Sequence, residues 1–276
     1  MQKLSLTRKV GAGDPAIACE FLAAFTPLSK TRIKDAMVKG AVWLKKSNGR
    51  QLRIRRARTI LNPGDRISIY YDTALLAITP QNPQLISDQK RFSVWLKPTG
   101  LLSQGTKYGD HCALLRQVEQ VYRSHRKVYL VHRLDREVSG LVLLAHDKIA
   151  AAKMSALFRK QRLIKRYAAR VRGNPAKSVP GGVIDVDLDG KPATTEFRVE
   201  RYEPAIDIST VQIVMGSGRK HQIRRHFDWI GHPVMGDPRY GKNNKDSAGL
   251  QLVATGLEFE CPFSHKKRVF KIDAQF

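Results

Sequence analysis

The sequence is poor in cysteine. Its three cysteines, Cys19, Cys112 and Cys261, lie far apart, and no two of them form a CxxC pair. An odd and scattered set argues against a disulfide framework and against a thiolate zinc site. We therefore expect three reduced, buried thiols.

Long apolar segments are also missing. The sequence has no run of about eighteen apolar residues, as a membrane-spanning helix needs. Its first residues, MQKLSLTRKVGAGDPAIACE, lack the apolar stretch of a secretory signal. A hydrophobic content of 42% nevertheless predicts a folded chain. We expect a cytoplasmic protein that has no membrane association.

Acidic residues are the third scarcity. The chain of 276 residues has 24 Asp+Glu against 49 Lys+Arg, a net charge of +25. Such an excess repels itself unless a polyanion neutralises it, so nucleic acid is the expected partner. The alternative is an anionic membrane, but no amphipathic anchor or lipidation motif supports it.

The basic charge is concentrated near the N-terminus. From Lys30 to Arg58 there are eleven Lys/Arg and a single acid, Asp35. A capping serine and a terminal glycine bound a helical pattern within KTRIKDAMVKG. The segments AVWL (41–44) and RISIYY (66–71) are typical of strands, and LNPGD (61–65) is typical of a turn.

This order of elements resembles the S4 RNA-binding domain over residues 25–74. The resemblance predicts a small α/β domain, preceded by an extension (1–24) and followed by a proline-containing linker (75–90). Basic clusters are usually solvated surface, but with this order of elements RNA contact is the better interpretation. The candidate RNA-binding residues are Lys30, Arg32, Lys34, Arg53, Arg55 and Arg56.

Residues 91–276 alternate between strand-like and helical patterns. Six strand-like runs dominate, and helical spacing recurs at 148–162 and near 219–230. We therefore predict the α+β class, with a mixed, largely antiparallel sheet and flanking helices. The strand-like runs are FSVWL (92–96), VYLV (128–131), LVLLA (141–145), YAARV (167–171), TEFRVERY (195–202) and ISTVQIVM (208–215).

Four local patterns in this second part follow one another in a set order. They are KPTGL (97–101), HRLDREVSGLVLLA (132–145), KRY (165–167), and SGRKHQIRRH (217–226) followed by GHPVMGDPRYG (231–241). Together they closely resemble the RluA-type family of RNA pseudouridine synthases, over about 92–262. The resemblance implies isomerisation of specific uridines in structured RNA. Ribosomal RNA is the preferred substrate, because of the S4-like segment, and transfer RNA is the other candidate.

The resemblance also assigns roles. Pseudouridine formation breaks the C1′–N1 bond and joins C1′ to C5 of the same base, so no cofactor is needed. Asp135 matches the family's essential aspartate, which could attack C1′, attack the base or remove the C2′ proton. Tyr167 matches the active-site tyrosine, and Arg224 the arginine that pairs with the aspartate, with Arg225 as a competing candidate. Arg133 matches the arginine that enters the RNA stack when the uridine flips out.

The histidines and two departures from the family pattern allow other interpretations. His221 and His226 are five residues apart, about 140° around a helix, and no Glu lies between them, so we expect no metal site. Val138 departs from the Thr or Ser common in the family, and Ser217 stands where Thr is usual. A missing hydroxyl at Val138 supports the alternative of a non-catalytic RNA-binding or RNA-folding factor. We expect a monomer that needs no protein partner.

Overall fold

The chain forms two compact units. The computed structural model describes every residue except Met1 and Ser124. One unit combines the residues up to Gln81 with Gln104–Val121, and the other combines Asn82–Ser103 with Tyr122–Phe276. Helices flank an antiparallel sheet in the first unit and a mixed sheet in the second, so the predicted α+β class is confirmed.

The first unit contains a four-stranded antiparallel sheet in the order β1-β4-β2-β3. Its strands are β1 (Lys3–Lys9), β2 (Val42–Lys45), β3 (Gln51–Arg53) and β4 (Arg66–Asp72). Its helices are α1 (Ala18–Phe25), α2 (Lys30–Val38), α3 (Thr73–Leu76) and α4 (Leu114–Val121).

Helix α2 begins and ends where its sequence signals predict. The Ser29 hydroxyl accepts a hydrogen bond from the Arg32 amide at 3.4 Å, and Gly40 follows with a φ of 81°. Ile33 and Met37 lie on the buried face, and their burial in the core of the unit stabilises the helix. The basic side chains consequently lie on the opposite, exposed face.

The prediction of an N-terminal extension over 1–24 is wrong. Strand β1 pairs with β4 along its whole length, and α1 buries Phe21 and Leu22 in the core of the first unit. Leu4 and Leu6 do alternate with polar residues, as in a half-buried strand. Their pairing partner lies far along the chain, so local pattern could not show that the segment belongs to the domain.

The predicted linker over 75–90 and the boundary at 91 also need correction. The linker contains a strand, β5 (Gln84–Asp88), which pairs with the next strand of the second unit. Conversely, Gln104–Val121 groups with the first unit although both flanking segments belong to the second. Contacts between residues distant in sequence decide both assignments, and composition does not record them.

The second unit is built on a ten-stranded sheet. Its main path runs β10-β11-β12-β9-β13-β8-β6-β5, with β14 beside β13 and β7 beside β8. The strands besides β5 are β6 (Phe92–Lys97), β7 (Tyr129–Leu130), β8 (Ser139–Ala145), β9 (Leu163–Arg172), β10 (Val183–Asp185), β11 (Thr194–Glu203), β12 (Ile208–Met215), β13 (Leu252–Glu260) and β14 (Lys267–Lys271). The helices are α5 (Lys148–Arg159), α6 (Pro175–Ser178) and α7 (Gln222–Trp229).

The centre of this sheet determines where the sequence motifs meet. Strand β8 pairs in parallel with β13, whereas β9 pairs antiparallel with β13 on its other side. Ala254 of β13 therefore lies between Gly140 of β8 and Tyr167 of β9. A Cβ on Gly140 would clash with the backbone of Ala254, so this close strand pairing requires glycine. Ala254 thus brings together the motif that contains Gly140 (132–145) and the motif that contains Tyr167 (165–167).

Candidate active site

Asp135 lies in the loop between β7 and β8, and a buried lysine fixes that loop. Lys97 is fully buried, and its Nζ donates to the carbonyl oxygens of Leu101 at 2.7 Å, Pro98 at 3.0 Å and Arg136 at 3.3 Å. Burial lowers the pKa of Lys97 to about 8, although the charges of Glu137 and Asp135 partly oppose the shift. The ammonium group thereby joins the 97–101 turn to the residue after Asp135.

A serine holds the other side of the same loop. The buried Ser103 hydroxyl donates to the Leu134 carbonyl oxygen at 2.7 Å and accepts from the Leu134 amide at 3.0 Å. Thr99 Oγ1 donates a further hydrogen bond to the Glu137 carbonyl oxygen at 2.8 Å. The backbone on both sides of Asp135 is therefore tied to residues 97–103, and the carboxylate is held by a preorganised loop.

Arg224 approaches Asp135 from helix α7. Its Nη1 lies 3.3 Å from Asp135 Oδ2, while its Nε and Nη2 each donate to the Asp237 carboxylate at 2.7 Å. Burial lowers the pKa of Arg224, but the hydrogen bonds and charge of Asp237, and then of Asp135, outweigh this effect and raise it. The bidentate pair with Asp237 fixes the guanidinium plane, so Arg224 meets Asp135 in a defined orientation.

Tyr167 lies on the central strand β9 and is 8% exposed. Burial raises the pKa of its phenol, and the negative charge of Asp135 raises it further. The phenol consequently stays protonated at neutral pH, so it can donate a hydrogen bond or a proton and is a poor base.

His221 and Tyr240 complete the polar surroundings of Asp135. The His221 Nε2 lies 3.6 Å from Asp135 Oδ2, and its Nδ1 lies 3.0 Å from the Tyr240 hydroxyl. Among the described residues, the polar contacts to the Asp135 carboxylate fall on Oδ2. Asp135 keeps a side-chain exposure of 32%, which gives a ligand access to it.

Three other residues of the sequence motifs lie in different surroundings. Arg225 pairs with Asp189 at 3.0 Å, so Arg224, and not Arg225, contacts Asp135. Arg133 is exposed two residues before Asp135, where its side chain is accessible to RNA. His132 accepts the Leu143 amide at Nε2 (3.0 Å), and burial lowers its pKa to about 3, which keeps the imidazole neutral.

The two departures from the family pattern have different surroundings. Val138 is 4% exposed and its amide donates to Asp135 O at 3.3 Å, so its side chain packs in the loop. Ser217 retains a hydroxyl, which donates to Gln222 Oε1 at 2.9 Å at the start of α7. Serine can therefore replace threonine here without the loss of that hydrogen bond.

The candidate RNA-binding residues of the first unit fall into two groups. Arg53 donates to the carbonyl oxygens of Gly40 and Thr106, and Arg55 donates to Val38 O and the Asp110 carboxylate, all within this unit. The other members are exposed: Lys30, Arg32, Lys34 and Arg56. Arg53 and Arg55 thus have structural contacts in addition to the role predicted for them.

Sequence reasoning missed Asp237, Ser103 and the contacts of His221. Asp237 lies in the GDPRYG motif, and its position after a glycine turn was the available signal. Ser103 follows the KPTGL turn by two residues but carries no pattern of its own. Within residues 2–123 and 125–276 no group of three or more His, Cys, Asp and Glu residues is arranged to hold a metal ion, and no helix is long and apolar enough to cross a membrane.

Comparisons with known proteins define the class. Residues 91–229 match the model of the RNA pseudouridylate synthase family. The structure is similar to human RNA pseudouridylate synthase domain containing 1, with a TM-score of 0.58 and 23% identity over 71% of this chain and 86% of that one. That likeness supports the fold, and the family match covers the segment that contains Asp135, Tyr167 and Arg224.

Two relatives narrow the class further. The chain is 31% identical over 218 residues to the dual-specificity RNA pseudouridine synthase RluA of Escherichia coli K12. This alignment covers 71% of this chain and 96% of the relative. It is 30% identical over 288 residues to an RNA pseudouridine synthase of Aquifex aeolicus, covering 92% of this chain and 89% of the relative. The chain belongs to the RluA-type family of RNA pseudouridine synthases.

Proposed function

We propose that this enzyme isomerises uridine in structured RNA with Asp135 as its catalytic carboxylate, Tyr167 as a proton donor and Arg224 as the partner of the aspartate. The observation that carries the proposal is the fixed approach of Arg224 to one carboxylate oxygen. Arg224 Nη1 lies 3.3 Å from Asp135 Oδ2 while Asp237 holds the rest of the guanidinium. The arrangement leaves Oδ1 for the uridine.

The chemistry requires that set of groups. The C1′–N1 bond breaks, C1′ bonds to C5, N1 gains a proton, and the proton on C5 leaves. A carboxylate can act as nucleophile or base in this sequence, and a protonated phenol can serve the proton transfers. Arg133, exposed beside the loop, is suited to enter the RNA stack, because a planar guanidinium stacks on bases and contacts phosphate.

We propose ribosomal RNA as the preferred substrate and transfer RNA as the second. The S4-like first unit, with its exposed basic helix α2, supports a structured RNA partner. The name of the Escherichia coli relative, which gives it dual specificity, is compatible with more than one RNA class. A cytoplasmic location and a monomeric state are part of the same proposal.

The test uses Asp135→Asn and Asp135→Ala with RNA tritiated at C5 of uridine. Tritium release reports the new bond at C5, and filter binding reports affinity for RNA. We expect no release and a Kd within about threefold of wild type, since the substitutions leave the basic surface intact. Asp207→Asn, which changes an exposed carboxylate of the same unit, is the matched control and should release tritium normally.

A cellular measurement identifies the target. Pseudouridines are mapped across all RNAs with and without the gene. The deletion strain is then rescued with the wild-type protein or with Asp135→Asn. Sites that vanish on deletion and return only with wild type identify the substrate. Full restoration of those sites by Asp135→Asn would contradict the catalytic role of Asp135, whereas a deletion that removes no pseudouridine would favour the non-catalytic RNA-folding role.

A further inference from the structure

His221 has an unusual backbone for a residue with a side chain. It precedes helix α7 with a φ of 53° and a ψ of 31°, in the left-handed region that favours glycine. Its imidazole does not cap the helix. Such conformations persist where the surroundings require them, and they concentrate at functional sites. The imidazole is therefore expected to have a role outside the helix.

Both ring nitrogens meet polar groups of the active site. Nδ1 lies 3.0 Å from the Tyr240 hydroxyl, and Nε2 lies 3.6 Å from Asp135 Oδ2. The Tyr240 phenol can donate to Nδ1, which then acts as an acceptor and leaves the proton on Nε2. The Tyr240 amide in turn donates to Asp237 at 3.1 Å, so the carboxylate that holds Arg224 also orients Tyr240.

The charges around His221 favour a neutral ring. Burial lowers the pKa of His221, and the Asp135 carboxylate opposes this effect. The nearby cations Arg224, Lys220 and Arg239 lower the pKa further. A neutral imidazole presents a single N–H, and the tautomer in which Tyr240 donates to Nδ1 places that N–H on Nε2, 3.6 Å from Asp135 Oδ2.

We propose that His221 is a positioning residue that, together with Arg224, holds Oδ2 of Asp135 and so presents Oδ1 to the uridine. The inference rests on the proposed catalytic role of Asp135. The distance of 3.6 Å exceeds a hydrogen bond in the ligand-free site. Contacts of this kind shorten when a substrate fills the site and excludes water. The left-handed backbone of His221, at the start of α7, brings Nε2 to the carboxylate.

Two substitutions of His221 distinguish a positioning role of its Nε2–H from a packing role of its ring. His221→Gln places an amide N–H near the former Nε2, whereas His221→Asn places it near the former Nδ1, too short to reach Asp135. Asparagine also tolerates the left-handed backbone, so this variant should fold at least as well as wild type. Single-turnover tritium release at saturating enzyme measures the chemical step, filter binding measures the Kd for RNA, and thermal unfolding measures stability.

We expect His221→Asn to slow the chemical step about tenfold or more, with Kd and the unfolding midpoint unchanged. His221→Gln should retain the rate within about threefold. Tyr240→Phe removes the hydroxyl that fixes Nδ1 and should slow the step by less than His221→Asn does. The double variant should be no slower than His221→Asn alone, because both changes act on the same contact.

The outcomes are distinguishable from a failure of the proposed function. A wild-type rate for His221→Asn would overturn the positioning role, as would equal losses in the Asn and Gln variants. Either result leaves the role of Asp135 intact if Asp135→Asn remains inactive. His226→Gln, which lies within α7 and whose imidazole contacts Val186 O, controls for the loss of an imidazole.

Discussion

At the scale of single residues, the site depends on a buried ion pair. The side chains of Arg224 and Asp237 are 3% and 0% exposed. Removing one partner of such a pair leaves an uncompensated buried charge, which costs about 3–5 kcal/mol. A hydrophobic pair would serve stability as well, so the pair is better explained by the orientation that it gives to Arg224. In that orientation Nη1 is free to meet Asp135.

Val138 is one of the two departures from the family pattern. Because its side chain is buried, we expect Val138→Thr to place a hydroxyl in an apolar site and to lower the free energy of unfolding by about 1–2 kcal/mol. The chemical step should change less than about twofold, since Arg224 and His221 make the contacts with Asp135. Urea unfolding and single-turnover tritium release check the two parts.

The control for that experiment is Val138→Ala, which removes volume without adding a polar group. It should lower stability but leave the chemical step unchanged. If Val138→Thr instead raised the rate about tenfold, the absent hydroxyl would be limiting turnover, and the packing explanation would be wrong.

At the scale of elements, helix α5 begins at a pH-sensitive cap. Asp147 accepts hydrogen bonds from the Ala150 amide at 2.8 Å and from Nε and Nη2 of Arg91, each at 2.8 Å. It therefore ties α5 to the residue before β6. The hydrogen bond from Arg91, and then that from Ala150, lower the pKa of Asp147 to about 2. Its value in the unfolded chain is about 3.9.

The lowered pKa predicts the direction of a pH effect. The folded state favours the ionised carboxylate, so the stabilisation is complete above about pH 4 and is lost as the pH falls through about 2. We expect Asp147→Ala to lower the urea midpoint at pH 7 and the difference from wild type to shrink at pH 3. Asp187→Ala, at an exposed position, is the control. A difference that stays constant from pH 7 to pH 3 would contradict the role of Asp147.

Local pattern predicted the elements that form from their own residues. The Ser29 and Gly40 signals bound α2, and alternation located β4, β11 and β12, because these features depend on neighbours in sequence. Pattern did not predict that β1 and β5 are sheet strands or that Gln104–Val121 joins the first unit. Those features depend on partners distant in the chain, as Arg55 and Asp110 show.

The candidate site divides in the same way. Motif order located Asp135, Tyr167 and Arg224, and the structure brings Asp135 and Arg224 within 3.3 Å. The order could not show that Asp237 clamps Arg224, that Ser103 brackets Leu134 or that His221 reaches Asp135. A resemblance names candidate residues, whereas the side chains that support them are identified from distances in three dimensions.

At the scale of the whole molecule, the net charge of +25 has two uses. Arg53 stacks over Trp43 at 4.1 Å and bonds backbone oxygens, and Arg55 pairs with Asp110, so these cations hold the first unit together. Charges already paired with protein groups release fewer counterions on binding RNA. We therefore propose that the exposed basic side chains of α2 contribute more to the affinity for RNA than Arg53 and Arg55 do.

The two groups of cations should respond differently to substitution. The exposed group consists of Lys30, Arg32, Lys34 and Arg56. Replacing the exposed group by glutamine should weaken RNA binding and make the plot of log K against log salt shallower, by about 0.7–0.9 for each phosphate that is no longer neutralised. Stability should change little, because the ion pair of Lys30 with Glu20 is exposed and such pairs contribute little. The chemical step at saturating RNA should not change, because these side chains belong to the first unit and Asp135 to the second.

The matched variant, Arg53→Gln with Arg55→Gln, should lower the thermal midpoint because Asp110 then loses both of these cationic partners. Filter binding over a range of salt and thermal unfolding give both readouts. An unchanged salt slope in the first variant would count against RNA binding by this exposed group.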